Sequence, residues 1–260
     1  YGQPAILCPA TMLGATGSLS MAGSLASGIA EDLAGIVLAQ MIRPGTPVVL
    51  GIQSTAADLR GGITFACAAP EGTLMQGFAA NMGKFYGLPS RGGGCQTDAP
   101  VINCQAGYES MLTFSSAYRH GINLVMEAGG VMDSVNATSF EKMIIDFEII
   151  RQVKASFTPI EVNEETLNLE EIKEMGHSGS FVTSDYTLEN YMDLYSPKVG
   201  SRNATDSNYF KESIDREMER LLKKYEDNPP VLDQEDRERV EAVLGKAGIS
   251  EEEFARIRSI

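Results

Sequence analysis

Positive charge is scarce in this sequence. Its 260 residues include 21 lysines and arginines against 35 aspartates and glutamates, which gives a formal net charge of −14. Such a chain would repel a nucleic acid or an anionic membrane surface. The composition therefore predicts no nucleic-acid and no membrane partner, and it is compatible with a small neutral or cationic ligand.

Metal ligands and regularly spaced cysteines are also few. Neither of the two histidines, His120 and His177, has a second histidine or cysteine at ligand spacing. The four cysteines form no CxxC pair and are unlike a disulfide framework, which fits a reducing compartment. No bound metal is expected, and a zinc site of the thiol-activating kind at Cys95 and Cys104 is the alternative.

A charged-then-apolar leader is missing from the start of the sequence. The longest apolar segment, residues 19–42, contains Glu31 and Asp32 and many small residues. The expected location is the cytoplasm. The first residue is Tyr1 rather than methionine, so we expect a fragment of a longer protein.

Strand and helix patterns alternate through the first 156 residues. Apolar runs predict strands at 5–8, 47–52, 88–90 and 122–126, and helices are predicted at about 20–42, 71–86, 103–120 and 139–157. Continuous apolar strands alternating with helices indicate a parallel sheet covered by helices. The predicted fold class is α/β, with these four units forming half of a (β/α)8 TIM-type barrel. A doubly wound sheet is the competing architecture.

Charged, helix-forming sequence follows residue 158. Helices are expected at 164–175, 187–194 and 208–225, and two short ones beyond residue 230. The predicted domains are the half barrel, 1–157, and a helical C-terminal extension, 158–260. The charge pattern of the extension suits either a solvated helix face or a surface for assembly or a partner.

Polar side chains follow the predicted strands, where the active site of a barrel is built. They are Gln53, Ser54 and Thr55 after the second strand, Gln96, Thr97 and Asp98 after the third, and Glu127 after the fourth; Gln105, Tyr108 and Glu109 follow on the third helix. The alternative is that such residues cap helices and bond to loop backbone, and Asp98 is the most cap-like. Three glycines at 92–94 indicate either unusual backbone conformations or room for a ligand.

The loop GATGSLSMAGSLASG, residues 14–28, offers glycines and a helix N-terminus that can cradle a phosphate. It matches neither GxGxxG nor GxxxxGK[ST]. Small residues at helical spacing are explained more simply by a helix that lies close to a sheet.

Several stretches together resemble one family. They are YGLPS, the spacer RGGGC, QTDA and QAGYE, with AEDLAGIVLAQMIRPGTPV before them and MGHSGSFVTSDYTLENY after them. This set resembles the trimethylamine methyltransferase family, corrinoid-dependent enzymes that demethylate methylamines and quaternary amines. The resemblance covers nearly the whole chain and implies a (β/α)8 barrel with Tyr1 near its middle. It also implies a separate corrinoid protein whose cobalt receives the methyl group, and no cofactor bound directly by this chain.

The resemblance directs attention to one position. In the trimethylamine-using branch of the family, the residue before the Thr/Ser-Asp-Ala motif is pyrrolysine, and here it is Gln96. Two interpretations stay open: either glutamine is encoded and the substrate is a quaternary amine such as glycine betaine, or the codon is UAG and the substrate is trimethylamine. A second departure is Met132-Asp133, where relatives often carry a glutamate in an Ala-Gly-x-x-Glu arrangement.

The prediction is thus a methyltransferase acting on a small methylated amine and a cognate corrinoid protein, as a homo-oligomer. The expected catalytic residues are Gln96, Asp98 and Glu127, and the expected substrate-binding residues are Gln53, Ser54, Gln105, Tyr108, Glu109 and His177. One alternative is a catalytically inactive fragment that serves in assembly or corrinoid-protein docking. Another is an unrelated barrel lyase or a zinc-dependent methyltransferase.

Overall fold

The computed structural model describes residues 3–229, 233–250, 253, 255 and 256. The strands of this part are β1 (Ala5–Leu7), β2 (Met12–Leu13), β3 (Val48–Gly51), β4 (Thr55–Asp58), β5 (Thr64–Ala66), β6 (Ser90–Gly93), β7 (Leu124–Met126), β8 (Val131–Met132) and β9 (Ala137–Thr138). Its α-helices are α1 (Met21–Ile42), α2 (Pro70–Tyr86), α3 (Cys104–His120), α4 (Phe140–Ser156), α5 (Glu164–Leu167), α6 (Leu169–Met175), α7 (Asp185–Asn190), α8 (Tyr209–Asp227) and α9 (Gln234–Lys246). The fold is mixed α/β.

A four-stranded parallel sheet organises the fold. Its strands lie side by side in chain order, β1-β3-β6-β7, and one of the helices α1, α2 and α3 joins each strand to the next. All four predicted strands are present, but the third was predicted too early: it covers Ser90–Gly93 rather than residues 88–90. The apolar residues before Ser90 lead into the strand, and the glycines themselves form it.

Capping residues set the helix ends close to the predicted bounds. The side chains of Ser20, Asn103 and Ser139 accept hydrogen bonds from the first turns of α1, α3 and α4. Gly87 and Gly121, at φ of 66° and 68°, end α2 and α3 in the left-handed conformation. Local sequence therefore fixes these helix ends.

The two faces of the main sheet have different environments. Leu50 and Ile52 are fully buried on one face, where Ile29 of α1 and Ala79 of α2 pack against them. Because side chains alternate along a strand, the register places Arg91 of β6 on the other face. That second face carries the groups of the candidate site.

The loop between β3 and α2, where the sequence predicts no strand, is structured. It contains β4 and β5, which pair antiparallel, and β4 also pairs parallel with β2 from the loop after β1. A further hairpin, β8-β9, follows β7. The loops after the strands are therefore built into small sheets.

The C-terminal segment is helical, as predicted, with shifted boundaries. The helix expected at 164–175 is two helices divided at Asn168, which has φ of 44°. The helix expected at 187–194 is α7 followed by a single 3-10 turn, Tyr191–Asp193. Beyond residue 230 α9 is present, and the second expected helix falls mostly outside the described residues.

Two compact units are distinguished, Tyr1–Met218 and Glu219–Ile260. The domain division between 157 and 158 stays a prediction. In length and composition alone, α1 is apolar enough to cross a membrane, a weak criterion that core helices of soluble proteins also meet. The cytoplasmic location also stays a prediction.

Candidate functional site

Arg91 connects the carboxyl ends of the four parallel strands. Its Nη1 donates to Gln53 Oε1 and lies 3.3 Å from Cys8 Sγ, and its Nη2 donates to Glu127 Oε1 over 2.5 Å. Its Nε lies 3.5 Å from Met126 Sδ. We call these five residues the Arg91 cluster. Of the predicted site residues, it brings Gln53 and Glu127 together.

The sheet register explains why Arg91 reaches so many partners. Gly51 lies directly opposite Arg91 on β3, and a Cβ at Gly51 would stand 3.1 Å from Arg91 Cβ and 3.2 Å from its Cδ. The glycine leaves room for the arginine side chain to lie across the sheet. Arg91 is only 6% exposed. A buried arginine needs partners for its charge, and the strand ends supply them.

Glu127 is the acidic member of the Arg91 cluster. Its side chain is 25% exposed, and its buried Oε2 has no hydrogen-bond partner among the described residues. Its backbone is in the left-handed region, with φ of 52°, a conformation that non-glycine residues seldom adopt. Backbone strain of this kind concentrates at functional sites, because the surrounding structure must maintain it.

The Cys8 thiol of the Arg91 cluster is held in its neutral form. Burial raises the pKa of Cys8, and the negative charges of Asp32 and Glu127 raise it further, while Arg91 only partly opposes them. A neutral thiol is a weak hydrogen-bonding group and a poor nucleophile. Cys8 therefore contributes packing and a weak contact to Arg91.

Gln96 follows β6, and its side chain lies on the same face of the sheet as Arg91. It is fully buried, and its backbone N–H donates to Thr113 Oγ1 over 3.1 Å. A Cβ at Gly93 would stand 2.6 Å from Gln96 Nε2, so the side chain folds back over this glycine. Neither Nε2 nor Oε1 has a hydrogen-bond partner among the described residues. An unpaired buried amide is costly, and such groups are typical of sites that bind a ligand.

Glu109 holds the loop that follows Gln96. Its Oε2 accepts hydrogen bonds from Thr97 Oγ1 at 2.6 Å and from the Asp98 backbone N–H at 2.8 Å. Gln105 Nε2 donates to Glu109 Oε1 over 2.9 Å. The structure thus brings four predicted residues together: Glu109 binds Thr97 and Asp98 of the loop, and Gln105 binds Glu109.

Asp98 joins three loops. Its carboxylate accepts hydrogen bonds from the backbone N–H groups of Cys67, at 2.9 Å, and Ala68, at 3.2 Å, and from Ser134 Oγ at 2.8 Å. It is not the cap of α3, because Asn103 has that role. Both oxygens of Asp98 are occupied, so its observed contacts position loops around the site.

A strained turn covers the same loop. Asp133, Ser134 and Val135 have φ of 52°, 52° and 73°, all left-handed. The backbone N–H groups of Asp133 and Ser134 donate to the carbonyls of Ala99 and Thr97, over 3.0 and 3.2 Å. These bonds fix the backbone of the loop that carries Gln96.

A buried ion pair supports the loop from the other side. Lys142 Nζ donates to the Cys95 carbonyl over 3.0 Å and to Asp146 Oδ1 over 2.5 Å, and the Gly130 N–H donates to Asp146 Oδ2 over 2.7 Å. Both charged side chains are fully buried. Burial raises the pKa of Asp146 to about 6 despite the nearby lysine. The loop is therefore held in place before any ligand arrives.

The other predicted site residues lie elsewhere. Ser54 Oγ accepts a hydrogen bond from the Thr11 backbone N–H and lies 2.7 Å from Thr11 Oγ1, in a buried hydroxyl group network with Ser24. Tyr108 is 61% exposed on α3. His177 lies in the exposed turn after α6. No hydrogen bond joins Tyr108 or His177 to the Arg91 cluster in the part of the chain that the structure describes.

Sequence reasoning missed Arg91 and Lys142. Arg91 was treated as part of a spacer, although a charged residue inside a buried strand is itself a signal of function. Lys142 and Asp146 are four residues apart on α4, a spacing that also suits an exposed ion pair. Only the burial of the two side chains distinguishes this internal ion pair from an exposed one.

The zinc and phosphate alternatives find little support. Among the described residues, no group of three or more His, Cys, Asp or Glu could hold a metal ion. A Cβ at Gly17 would stand 2.6 Å from Ser24 Oγ, and one at Gly35 would stand 2.3 Å from Leu7 Cδ1. These glycines allow close packing of the loop and of α1.

A family model described as trimethylamine methyltransferase (MTTB) matches residues 1–247. The chain belongs to the trimethylamine methyltransferase family. It is similar to the glycine betaine methyltransferase of Desulfitobacterium hafniense (strain Y51), with 35% identity over 95% of this chain and 52% of that protein.

Two further relatives are similar over most of the chain. The trimethylamine methyltransferase MttB of Methanosarcina barkeri (strain Fusaro) is 32% identical over 95% of this chain and 50% of that protein. The proline betaine:corrinoid methyltransferase of Eubacterium limosum is 29% identical over 87% of this chain and 47% of that protein. The chain spans about half the length of the curated relatives it matches.

Proposed function

We propose that this protein moves a methyl group from a quaternary amine, such as glycine betaine, to the Co(I) of a corrinoid held by a partner protein. The observation that carries the proposal is the buried amide of Gln96 at the carboxyl end of the parallel sheet, which has no hydrogen-bond partner among the described residues. Membership of the family and relatives named for betaines and for trimethylamine support the same reaction class.

The chemistry of Gln96 favours a quaternary substrate. Methyl transfer to Co(I) is an in-line displacement: the bond from methyl carbon to nitrogen breaks, its electron pair stays on nitrogen, and carbon bonds to cobalt. Transfer from trimethylamine would release a dimethylamide anion unless the nitrogen is first made cationic, which the imine of pyrrolysine is proposed to do by forming an adduct. A glutamine amide cannot form this adduct. A quaternary ammonium already carries the charge and leaves as a neutral tertiary amine.

The residues of the site have roles that suit this reaction. Glu127 Oε2, which has no partner in the described part of the chain, supplies negative charge for an ammonium group. The bonds of Glu109, Asp98 and Lys142 keep the Gln96 loop fixed, so little reorganisation is needed when substrate binds. The corrinoid arrives with the partner as the second substrate, and we assign it no ligand in this chain.

The second candidate is a trimethylamine methyltransferase with pyrrolysine natively at position 96. The unpaired amide of Gln96 also fits this candidate, because a side chain in place of the native one would lack partners. The codon at position 96, or the intact mass of a peptide spanning residues 88–105 from native protein, decides between the two. A UAG codon with a pyrrolysine mass overturns the quaternary-amine proposal.

The scaffold we propose is a (β/α)8 barrel, of which residues 1–157 form the C-terminal half and 158–260 a helical extension. The chain-order arrangement β1-β3-β6-β7 supports it, since neighbours in a barrel follow chain order whereas a doubly wound sheet reverses at its switch point. On this scaffold the Arg91 cluster lies at the mouth where barrel enzymes have their active sites.

The activity is tested with the full-length protein and its reduced corrinoid protein. Glycine betaine should convert the corrinoid to its methyl-Co(III) form, monitored by absorbance, and Gln96→Ala should slow the conversion. No transfer from glycine betaine, carnitine or trimethylamine would overturn the proposal and favour the inactive fragment. In that case, binding to the corrinoid protein in gel filtration would identify a docking role.

A further inference from the structure

Arg91 has unused capacity for a negatively charged ligand. A guanidinium offers five N–H donors. Two of the described partners are sulfur atoms, Cys8 Sγ and Met126 Sδ, which are weak acceptors. The oxygens of Gln53 and Glu127 take two further donors, and one N–H of Nη2 has no partner among the described residues. A buried arginine with two weak sulfur acceptors and one free N–H among the described residues is suited to one further carboxylate oxygen.

The Arg91–Glu127 pair presents both charges side by side. Among the described residues one Arg91 N–H and the buried Glu127 Oε2 have no hydrogen-bond partner, so the pair can contact an anion and a cation at once. The unpaired Gln96 amide, on the same face beside Gly93, adds a further N–H donor. A ligand with a lone positive charge satisfies only Glu127 and places its charge near the guanidinium.

We infer that Arg91 is the specificity-determining residue of the site, binding the carboxylate of a zwitterionic substrate while Glu127 contacts its ammonium group. The inference rests on the proposed function, whose quaternary amines include both zwitterions and simple cations. Arg91 thereby selects a betaine over choline or tetramethylammonium. The overall charge balance is kept, because a neutral zwitterion meets a neutral ion pair.

Ligand binding to the full-length protein tests the inference without the corrinoid protein. Glycine betaine, choline and tetramethylammonium are titrated by isothermal calorimetry. Glycine betaine and choline share the trimethylammonium group and differ in the carboxylate. We expect the wild-type protein to bind glycine betaine about 10- to 100-fold tighter than choline, the range for a charge-assisted hydrogen-bonded pair.

Arg91→Gln and Glu127→Gln form the matched pair of variants. Arg91→Gln should bring the ratio of choline to glycine betaine Kd to about 1, because the carboxylate contact is lost and the other changes act on the trimethylammonium group that both ligands share. Glu127→Gln should weaken all three ligands and leave that ratio undiminished. A ratio unchanged in Arg91→Gln, or lowered equally in both variants, overturns the inference.

Two controls distinguish a change in the Kd ratio from a failure to fold and from a failure of methyl transfer. Thermal unfolding identifies a variant that does not fold, and Arg91→Lys then replaces Arg91→Gln; it keeps the charge, loses the planar fork, and should still lower the ratio. An unchanged ratio in Arg91→Lys also overturns the inference. If Arg91 sets the ratio but glycine betaine gives no methyl transfer, only the proposed function fails. If transfer from glycine betaine keeps its kcat/KM in the Arg91 variant, only the inference fails.

Discussion

The three glycines that follow Arg91 face three different neighbours. A Cβ at Gly92 would stand 2.5 Å from Ile122 Cδ1, one at Gly93 would stand 2.6 Å from Gln96 Nε2, and one at Gly94 would stand 2.7 Å from Val125 Cγ1. None of the three has a left-handed φ. The run GGG is therefore explained by close packing, and Gly93 alone makes room for a functional side chain.

This difference predicts opposite effects for two alanine substitutions. Gly93→Ala displaces the flexible end of Gln96, so we expect weaker glycine betaine binding and a free energy of unfolding within about 0.5 kcal/mol of wild type. Gly94→Ala overpacks the core beside Val125 and Phe114 and should lower the free energy of unfolding by about 1–3 kcal/mol. Urea denaturation and calorimetry measure the two effects. Wild-type affinity in Gly93→Ala would contradict the placement of Gln96 in the site.

Asp32 is a titrating residue inside the fold. It is fully buried on α1, and neither carboxylate oxygen has a hydrogen-bond partner among the described residues. Burial, followed by the negative charge of Glu31, raises the pKa of Asp32 to about 7. The folded state therefore binds this proton more tightly than the unfolded state does, and ionisation destabilises the fold.

Asp32→Asn should therefore stabilise the protein more as pH rises. Between about pH 4 and pH 7 the wild-type protein loses the stability that protonated Asp32 contributes. Asparagine does not titrate, so the free energy of unfolding of the variant rises relative to wild type by up to about 4 kcal/mol. Urea denaturation of both proteins at pH 4, 6 and 8 measures the difference. Glu31→Gln serves as control and should shift the transition to lower pH. A difference independent of pH would show that Asp32 does not titrate in this range.

At the scale of elements, Glu148 attaches the C-terminal segment to α4. Its Oε2 accepts the backbone N–H groups of Lys198, at 2.9 Å, and Val199, at 3.0 Å, and Tyr195 donates its hydroxyl to Oε1. Burial by itself would raise the pKa of Glu148, but these bonds and the charge of Arg151 together hold it below its usual value. The carboxylate contributes stability that is lost as pH falls through this lowered pKa.

Glu148→Gln should loosen this attachment. Replacing charge-assisted hydrogen bonds with weaker ones is expected to lower the free energy of unfolding by about 1–3 kcal/mol and to speed amide exchange at Lys198 and Val199. Lys198→Ala is the matched control, because only the backbone of Lys198 binds Glu148. Equal exchange in both variants would rule out the attachment.

Sequence patterns predicted the elements with unequal success. The caps at Ser20 and Ser139 and the glycine ends at Gly87 and Gly121 were readable, because each depends on neighbours along the chain. The position of β6 could not be predicted from the sequence, because glycine is a poor strand former. Only pairing with β3 and β7 makes Ser90–Gly93 a strand.

At the scale of the whole molecule, the two compact units differ in burial. Helix α3 of the first unit has five buried residues, whereas α9 of the second has none among its described residues. Helices with few buried contacts open with little free energy. Hydrogen exchange of the full chain should therefore show faster exchange in α9 than in α3. Equal protection would mean that a partner or a second copy covers α9.

The candidate site was predictable in part. Gln53, Gln96 and Glu127 were identified because polar residues at the ends of parallel strands converge on one edge of the sheet. Their individual environments were not predictable. Asp98 and Glu109 bind loop groups, Tyr108 is exposed, and Arg91, which connects the strand ends, was missed.

The sequence by itself determined the alternation of strands and helices, the helix ends, the acidic charge and the family, because these depend on residues close together in the chain or on composition. Only the tertiary structure decided which polar groups meet. Arg91 and Glu127 are 36 residues apart, and their contact depends on strand register and on the space left by Gly51. A shift of one residue in register would turn Arg91 to the helix-covered face, since alternate residues of a strand point to opposite sides.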